Sequence, residues 1–521
     1  MCYWRRLLLI PTPIRANAAT ELRLRGPLGM EHFDVLIVGA GLSGIGAAAH
    51  LRMECPQKSF AILEGRATMG GTWDLFRYPG VRSDSDMFTL GYRFRPWNNP
   101  EAIADGPAIL KYISETAEEW EVNENIRYNH RVKLASWSDD GAVWTVEVEV
   151  GPDKSIVSFT CGFLYLCTGY YDYENGYAPQ WPGMELFRGR IVHPQKWTED
   201  IDYTDKRIVV IGSGATAVTL VPALARLAAH VTMLQRSPSY VVSRPSQDWI
   251  ANSLRTLLPA RTAYAVTRWK NVLFGIGFFY LSRKRPSWMK QLIASGVKKE
   301  IGEDLAARHF TPNYNPWDQR LCLVPDSDLF KATREGRVSI VTDQIETFTE
   351  TGLQLKSGEH LQADIIVTAT GLVLKLMAGL TLVVAGEVVD VSKTLTYKGM
   401  MYSNVPNLAS AFGYTNASWT LKCDLISGYV CRLLNYMDRN GYATCMPRMN
   451  ERSVKTEPAM DFSSGYIQRA LDTLPRQGSR FPWRLNQNYV RDLKLIRYGR
   501  LNDGAMEFRA APSHRSHSMP G

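Results

Sequence analysis

The first residues whose types and spacing indicate a function are the glycines of a loop at residues 39–44. The loop reads GAGLSG, so Gly39, Gly41 and Gly44 have the spacing G-x-G-x-x-G. The apolar run FDVLIV before it predicts a buried strand, and the small residues after it predict a helix, which is the context that this motif requires. Such glycines let the backbone turn tightly and approach a pyrophosphate at a helix N-terminus. We therefore expect a dinucleotide here, with Glu64, at the end of the next strand, accepting from a ribose hydroxyl.

The stretch after Glu64 favours FAD over NAD as this first dinucleotide. Residues 70–84 read GGTWDLFRYPGVRSD, where a plain dehydrogenase would continue into another strand and helix. The stretch instead predicts a loop with aromatic and ionisable side chains: Trp73, Tyr78, Arg82 and Asp84. Such groups beside a dinucleotide suit an extended cofactor with a reactive ring.

A second glycine-rich loop follows the predicted strand RIVVI. It comprises Gly212, Ser213, Gly214, Ala215, Thr216 and Ala217. Alanine is accepted at the last position of the motif. The next predicted strand ends in Gln235 and Arg236, and Arg236 stands where an acid would bind a 2′-hydroxyl. Because an arginine pairs with a 2′-phosphate, we expect NADPH as the second nucleotide. The alternative for Arg236 is a solvated surface charge.

The segment just before the second loop, residues 187–197, reads FRGRIVHPQKW. It resembles the Baeyer–Villiger monooxygenase fingerprint F-x-G-x-x-x-H-x-x-x-W, and the matching residues are Phe187, Gly189, His193 and Trp197. Thr198 departs from the Pro or Asp that follows in the family. The loop at 70–84 resembles the second family motif, G-x-W-x-x-x-x-[FY]-P-G-x-x-x-D, with these residues in place: Gly71, Trp73, Tyr78, Pro79, Gly80 and Asp84.

Further stretches resemble the ethionamide-activating branch of this family of class B flavoprotein monooxygenases. They include NPWDQRLCLVP, GYTNASWTLK and QGSRFPWRLNQNY, and the resemblance covers roughly residues 30–508. It implies an enzyme that uses NADPH to reduce FAD and O2 to form a flavin C4a-peroxide. That peroxide would insert one oxygen atom next to the carbonyl of a small apolar ketone. The alternative is oxygenation of sulfur in a thioamide or sulfide, or of nitrogen.

The resemblance also implies two catalytic residues. Arg320 would be the cation that keeps the flavin peroxide anionic, and arginine suits this role because it stays charged when buried. Asp84 would be its partner and orient it. The alternative is a structural ion pair between two domains. Gln319 stands where many relatives carry a lysine that helps to hold the 2′-phosphate, which leaves more of that binding to Arg236.

Other site residues are carried over by the same resemblance. Contacts to FAD are implied for Ser43, Thr72, Trp73, Asp74 and Leu75. Val132 would pair its backbone with the adenine, and Arg82 and Ser83 would lie where NADP approaches the flavin. The segment 187–197 would be a linker between the two nucleotide domains, in which the small Gly189 permits a tight bend. His193 would either assist reorientation of the NADP domain or only tie the loop to its own domain.

These elements predict an α/β fold with two dinucleotide-binding, Rossmann-like domains and a helical insertion. We place the FAD-binding domain at 30–171 and 376–508 and the NADP-binding domain at 172–244 and 325–375. The insertion at 245–324 is expected to shape an apolar substrate cavity, with most of its aromatic residues packed in the core. Those aromatic residues are Trp249, Trp269, Phe274, Phe278, Phe279, Tyr280 and Trp288. Residues 1–29 read as a basic leader, either a gene-model extension or a targeting peptide. Residues 509–521 read as a disordered tail.

Composition excludes several classes of function. The net charge is +9, from 60 Lys and Arg against 51 Asp and Glu, and no basic run is interleaved with aromatic residues, so we expect no nucleic-acid partner. None of the eight cysteines forms a C-x-x-C pair, which argues against a zinc site and a disulfide reductase. We expect no metal and a cytoplasmic location. The apolar run at 272–281, flanked by basic residues, is too short to span a bilayer and predicts a buried helix or contact with a membrane surface.

Overall fold

The computed structural model describes residues 29–319, 321–449, 454–459 and 463–510. The predicted leader, apart from Gly29, lies outside these ranges, and so does the predicted tail beyond residue 510. Within the described chain, the strands are β1 (Glu31–Val38), β2 (Phe60–Leu63), β3 (Ile126–Arg127), β4 (His130–Ser138), β5 (Val143–Val150), β6 (Ser155–Leu166), β7 (Tyr171–Gly176), β8 (Arg190–Val192), β9 (Arg207–Ile211), β10 (His230–Gln235), β11 (Val241–Arg244), β12 (Cys322–Pro325), β13 (Val338–Thr342), β14 (Ile345–Thr349), β15 (Gly352–Leu355), β16 (His360–Gln362), β17 (Ile365–Thr368), β18 (Leu372–Leu374), β19 (Thr381–Val384), β20 (Glu387–Val388), β21 (Thr396–Tyr397), β22 (Met401–Tyr402), β23 (Leu408–Ser410), β24 (Tyr442–Pro447), β25 (Thr456–Pro458), β26 (Arg476–Gly478) and β27 (Met506–Ala510).

The α-helices of the same ranges are α1 (Leu42–Glu54), α2 (Thr72–Leu75), α3 (Met87–Leu90), α4 (Gly106–Glu119), α5 (Ala215–Leu224), α6 (Trp249–Leu257), α7 (Ala260–Lys284), α8 (Pro286–Ile301), α9 (Glu303–His309), α10 (Asp328–Arg334), α11 (Trp419–Asn440), α12 (Gly465–Gln468) and α13 (Tyr489–Asp492). Arg509 and Ala510, which we assigned to a disordered tail, instead pair with β24 through β27. Backbone pairing with a strand far away in the sequence holds these two residues in place.

The first sheet has nine strands in the order β20-β19-β4-β5-β6-β1-β2-β3, with β23 paired to β6. Its centre is parallel, because β1 lies between β2 and β6 and runs in the same direction as both. Val35, Leu36 and Ile37 in β1 are fully buried, since packed side chains cover both faces of the sheet. Burial on both faces explains why this strand reads as a continuous apolar run rather than an alternating one.

The second sheet has five parallel strands in the order β13-β10-β9-β17-β8. Together the two sheets confirm the predicted α/β fold with two Rossmann-like units. The edge strand β8 lies inside the segment 187–197, which we predicted to be a linker. Val192 is buried on the inner face of β8, and backbone pairing with β17 makes this segment part of the second sheet.

The chain crosses between the two sheets twice, and the crossings lie side by side. The first crossing, β7, follows β6 of the first sheet, and the second crossing, β18, follows β17 of the second sheet. β7 and β18 pair antiparallel, from Leu372 opposite Gly176 to Leu374 opposite Tyr171. A short two-stranded ribbon therefore joins the two units.

The four helices α6 to α9 form the predicted insertion between β11 and β12. The expectation that most of its aromatic residues pack in a core is wrong, because five of the seven are exposed: Trp249, Trp269, Phe274, Tyr280 and Trp288. The buried positions of α7 are mostly small or polar, such as Ala263, Thr267 and Ser282, so the large apolar residues lie on its outer face.

Candidate active site

A cavity of about 860 Å³ lies between the two glycine-rich loops. Both loops line it, together with residues 70–73, the ribbon that joins the two sheets, and the segments 369–372, 414–419 and 464–469. This volume is at the upper end of the range for ligand pockets in proteins. Of the predicted insertion at 245–324, Tyr314, Gln319 and Cys322 line the cavity, whereas no described residue of the helices α6 to α9 does. The insertion therefore borders the cavity through the segment that follows α9 rather than through its helices.

The first glycine loop forms the sharp turn from β1 into α1. A Cβ atom on Gly44 would lie 1.8 Å from the carbonyl oxygen of Gly39, so the helix packs against this turn only without a side chain. Gly41 caps α1 without a side-chain hydrogen bond, and it lines the cavity with Leu42 and Ser43. The free N–H groups and positive dipole end of this 13-residue helix suit a pyrophosphate.

The second glycine loop repeats this arrangement at the turn from β9 into α5. Gly214 caps α5 without a side-chain hydrogen bond, and a Cβ atom there would meet nothing within 4 Å. Gly212, Ser213, Ala215 and Thr216 line the cavity beside it. This open space in front of a helix N-terminus fits a second pyrophosphate. Ala217 is buried in the packing of α5 and does not reach the cavity.

The predicted ribose ligand, Glu64, lies behind the first loop rather than on the cavity wall. Its carboxylate accepts hydrogen bonds from the backbone N–H of Ala40, at 2.7 Å, and of Arg66, at 2.9 Å. Burial raises the pKa of Glu64, although both hydrogen bonds oppose this shift. The geometry fixes the turn between the glycine loop and β2 and leaves further lone pairs of the carboxylate for a hydroxyl donor.

Asp74 does not face the cavity either. Its carboxylate forms ion pairs with Arg66, at 2.7 Å, and with Arg77, at 2.5 Å, and it accepts a hydrogen bond from Thr68. Asp74 therefore holds the loop that begins at Gly70 in shape. Leu75 and Val132 also lie away from the cavity wall, and Val132 is buried in β4 opposite Val148.

Gln235, the last residue of β10, and Arg236, which follows it, have different environments. Arg236 is exposed and lines the cavity next to the second glycine loop, where a 2′-phosphate is expected. Gln235 is buried, and its side-chain amide donates to the carbonyl of His309, at 2.7 Å, and to Thr342, at 2.9 Å. The side chain of Gln235 is thus committed to the interior of the second unit.

The loop with the second family motif bridges the two units. Arg82 forms an ion pair with Asp328 at the start of α10, at 2.5 Å. Gly80 lies so close to α5 that a Cβ atom would be 2.6 Å from the Cβ atom of Ala223. Tyr78 contacts Thr216 in the second glycine loop. The loop belongs to the first unit by sequence but is held against the second unit at three points.

The proposed catalytic carboxylate, Asp84, lines the cavity at the end of this loop, beside Ser83. Its charge contributes, after burial, to raising the pKa of Tyr78 above the usual value of 10.0. Arg320 lies outside the residues that the structure describes, so its pairing with Asp84 stays a prediction. Its neighbour Gln319 lines the cavity.

Other predicted cofactor contacts line the cavity, and two of them form hydrogen bonds with neighbouring side chains. Thr72 and Trp73 line it, and Thr72 hydrogen-bonds to Tyr173 of the connecting ribbon. The hydroxyl of Ser43 accepts a hydrogen bond from the indole N–H of Trp419, at 2.8 Å. Ser43 therefore links the first glycine loop to the aromatic wall on the far side of the cavity.

The segment 187–197 does not reach the cavity. The Nε2 atom of His193 donates to the carbonyl of Gly371, at 3.2 Å, while Nδ1 accepts from the N–H of Gln195. Burial lowers the pKa of His193, so the neutral ring is favoured. His193 also packs on Gly176, the last residue of β7, so it lies at the end of the connecting ribbon, next to the residue that precedes β18.

The other fingerprint residues of this segment have packing roles. Phe187 and Trp197 are buried. A Cβ atom on Gly189 would lie 2.3 Å from the carbonyl oxygen of Asp364. Close packing against Asp364, rather than a tight bend, therefore requires glycine at this position.

An aromatic wall of the cavity was not predicted from the sequence. The ring of Tyr170 stacks on Trp419, with ring centres 5.0 Å apart, and its hydroxyl is 2.9 Å from that of Tyr171. Arg469 lies over the ring of Tyr177, at 3.5 Å. The one indication in the sequence was the pair Thr168 and Gly169 directly before Tyr170, which follows β6 after four residues.

Within the described ranges, the structure contains neither a candidate metal site nor a candidate membrane-spanning helix. Along those ranges, no group of His, Cys, Asp and Glu side chains is arranged to hold a metal ion. No helix among them has the length and apolar character needed to cross a bilayer.

Known proteins share both the sequence and the fold. A family model described as flavin-binding monooxygenase-like matches residues 100–400, and an NAD(P)-binding Rossmann-like domain matches residues 37–99. The FAD-containing monooxygenase EthA of Mycobacterium tuberculosis (strain CDC 1551 / Oshkosh) is 55% identical over 485 residues, covering 93% of this chain and 99% of that protein. The probable FAD-binding monooxygenase AlmA of Acinetobacter baylyi (strain ATCC 33305 / BD413 / ADP1) is 47% identical over 480 residues, covering 92% and 96%.

Two solved structures show the same fold at low sequence identity. An oxidized steroid monooxygenase bound to NADP has a TM-score of 0.71 at 22% identity and covers 92% of this chain and 100% of its own. A cyclohexanone monooxygenase from Rhodococcus sp. Phi1 bound to NADP+ has a TM-score of 0.70 at 17% identity, with a coverage of 92% and 100%. The chain belongs to the flavin-binding monooxygenase-like family, as an FAD-containing, NADPH-dependent enzyme similar to EthA.

Proposed function

We propose that this monooxygenase inserts one oxygen atom next to the carbonyl of an apolar ketone and releases an ester or lactone. The observation that carries the proposal is the convergence of both glycine loops, Asp84 and an aromatic wall on one cavity. The cyclohexanone monooxygenase with this fold, which is named for a ketone, supports a ketone as the substrate class.

The two nucleotides would be held by separate parts of the chain. We assign FAD to the unit of residues 30–171 and 376–508, and NADPH to residues 172–244 and 325–375. In support, the first glycine loop connects β1 of the first sheet to α1. The second connects β9 of the second sheet to α5, and Arg236 lies beside it on the cavity wall. Bound FAD, once reduced by NADPH, supplies the chemistry that activates O2. The protein must orient the cofactor and the substrate, place charges near the reacting atoms and exclude water.

Asp84 and Arg320 would provide the charge at the reacting atoms. An arginine held beside the cofactor stabilises negative charge as it develops, and it stays protonated at any working pH. A carboxylate next to it lowers the cost of burying the cation and fixes its direction. The position of Asp84 on the cavity wall, and of Gln319 next to Arg320 in sequence, supports these roles.

The aromatic wall would receive the substrate. Rings such as Tyr170 and Trp419 bury an apolar molecule and exclude water, but they do not distinguish a ketone from a sulfide of the same shape. Sulfur also makes favourable contacts with ring edges. Together with the similarity to EthA, this wall supports a second candidate function, oxygenation of sulfur in thioamides or sulfides, or of nitrogen.

Matched substrates separate the two candidates. Purified yellow holoenzyme would be given NADPH and paired ketones and sulfides in which a sulfur atom replaces the carbonyl group, such as acetophenone with thioanisole and cyclohexanone with thiane. We expect the ketones to stimulate NADPH consumption and to give products that mass spectrometry finds one oxygen atom heavier. A sulfoxide from each sulfide, with unchanged ketones, would favour the second candidate. NADPH oxidation that yields only hydrogen peroxide with every compound would contradict both.

A further inference from the structure

The helical insertion presents large apolar side chains to solvent. Trp249 is 74% exposed, Leu257 77%, Leu273 57% and Tyr280 62%. Further exposed residues of the same helices are Val266, Trp269, Phe274, Leu281, Trp288, Leu292 and Leu305. Single exposed apolar residues are normal on protein surfaces, but eleven within residues 249–305 form a concentration that calls for a partner.

The longest helix of the insertion, α7, shows how this surface is organised. Its residues Val266, Trp269, Leu273, Gly277 and Tyr280 follow one another at spacings of three or four, which places them on one face. All five are exposed. The apolar stripe thus runs along the outer side of the helix.

The inner face of α7 is fixed to the first unit by a buried arginine. Arg268 donates to the carbonyl groups of Phe88 and Gly91 and forms an ion pair with Asp424, at 3.2 Å. These contacts fix which face of α7 is buried, so the outer stripe lies at the protein surface.

The charged residues of the segment 249–299 are all basic. Residues 249–299 contain ten Lys and Arg and no Asp or Glu. Taking these ten from the 60 basic residues of the chain leaves 50 against 51 acidic ones, so the whole positive net charge belongs to this segment. Within the described ranges, six of the ten form no ion pair: Arg255, Arg261, Lys284, Arg285, Lys290 and Lys299.

We propose that this surface, formed by residues 249–299, docks the enzyme on an anionic lipid membrane. Apolar and aromatic side chains would enter the boundary between headgroups and acyl chains, while the basic residues pair with anionic headgroups. The enzyme would lie on the membrane and not span it. A second copy of the chain is a poorer occupant, because a symmetric contact would bring the two basic surfaces together.

The test is flotation of purified yellow holoenzyme with lipid vesicles. One set of vesicles is phosphatidylcholine alone, and the other contains equal parts of phosphatidylcholine and phosphatidylglycerol. We expect the enzyme to float with the second set and to be released by high salt. The triple variant K284Q/R285Q/K290Q should lower the partition coefficient on the order of 100-fold, since each basic residue near such a surface contributes about fivefold. The variant L273S/Y280S should lower it at least about 10-fold, since each large apolar side chain that leaves water contributes about 10-fold (about 1.5 kcal/mol) or more.

Matched variants control for general changes in charge and apolarity. R226Q/K331Q/K356Q removes three exposed basic residues from the second unit, and I156S/L227S removes two exposed apolar residues elsewhere. Both should float like the unchanged enzyme. The flavin spectrum and the rate of NADPH oxidation should be the same in all variants, which shows that they fold and retain FAD.

Three outcomes would overturn the proposal. One is no flotation with either set of vesicles. Another is an equal loss in the surface variants and their controls. The third is sedimentation that shows an oligomer turning into a monomer in L273S/Y280S while flotation is unchanged, which would make this face a contact between copies.

Discussion

Arg236 is the side chain on which a preference for NADPH over NADH should depend. It is exposed on the cavity wall, whereas its neighbour Gln235 is committed to the interior. Because a hydrogen bond to a charged group contributes about 1.5–3 kcal/mol, we expect Arg236→Ala to raise the KM for NADPH about 10- to 100-fold. The KM for NADH should be unchanged, since NADH has no 2′-phosphate. Steady-state NADPH and NADH oxidation measures both, with Arg226→Ala as the control. An equal effect on both nucleotides would show that Arg236 does not bind the phosphate.

His193 should make stability depend on pH. Burial holds its pKa in the folded protein below the ordinary value of 6.5, so the unfolded chain binds a proton that the folded protein does not. Stability is therefore fully present above pH 6.5 and falls as the pH decreases below that value, by at most about 1.4 kcal/mol per pH unit. In His193→Gln the thermal midpoint should fall less between pH 6.5 and 5 than in the unchanged enzyme. Other histidines contribute equally to both proteins, so parallel curves would refute this role.

The sequence predicted some site residues better than others, for physical reasons. Gly44 and Gly214 could be predicted because a glycine motif specifies a backbone path, and the path needs only local chain. The surroundings of Asp74 and Gln235 could not, because Arg66 and Arg77 hold one and His309 and Thr342 hold the other. A motif indicates that a side chain is near a ligand, but it does not show which neighbours compete for that side chain.

The loop at 70–84 is the element whose packing should couple the two units. Gly80 has φ +77, and a Cβ atom there would also lie 3.0 Å from the carbonyl oxygen of Thr219. Gly80→Ala should therefore lower stability by about 2–4 kcal/mol, from about 1 kcal/mol of backbone strain and the rest from the clash with α5. Gly336→Ala, with φ +73 and open space around it, should show only the strain. Thermal midpoints of the three proteins measure the difference, and equal midpoints in the two variants would mean that the loop does not press on α5.

The ion pair between Arg82 and Asp328 should be the strongest electrostatic link between the units. The side chain of Arg82 is 12% exposed and that of Asp328 is 24% exposed. Asp328→Ala leaves a mostly buried arginine without its partner, so we expect a loss of about 2 kcal/mol, below the 3–5 kcal/mol of a fully buried pair. Glu350→Ala breaks the exposed pair with Arg188 and should cost at most about 1 kcal/mol. Thermal unfolding without NADPH compares them, and equal costs would mean that water screens the Arg82 pair as well.

The helical insertion shows that hydrophobic periodicity in the sequence is insufficient to predict which face of a helix is buried. The sequence predicted helices there, but it did not show which face of α7 is buried. Arg268 lies on the inner face because Asp424 and three backbone carbonyls lie opposite it, and these groups come from distant segments. The apolar residues of α7 face outward as a result. Similarly, β8 could not be distinguished from a linker, because its partner β17 is far along the chain.

At the scale of the whole molecule, the shared cavity predicts coupling between the two nucleotides. Both glycine loops line this cavity, and the loop at 70–84 contacts both units. Bound FAD should therefore complete the wall against which NADP+ binds, and the removal of FAD should weaken NADP+ binding. Such coupling is reciprocal: NADP+ should strengthen FAD binding by the same factor.

Thermal unfolding of the holoenzyme and of the deflavinated enzyme, each with and without NADP+, measures this coupling. A ligand at 100 times its dissociation constant stabilises the folded state by about 2.7 kcal/mol, so NADP+ should clearly raise the midpoint of the holoenzyme. The same concentration should raise the midpoint of the deflavinated enzyme less, and NAD+ should have little effect on either. Restoring FAD should recover the full response. Equal shifts with and without FAD would mean that the two nucleotides bind independently and that the domains do not communicate through the cavity.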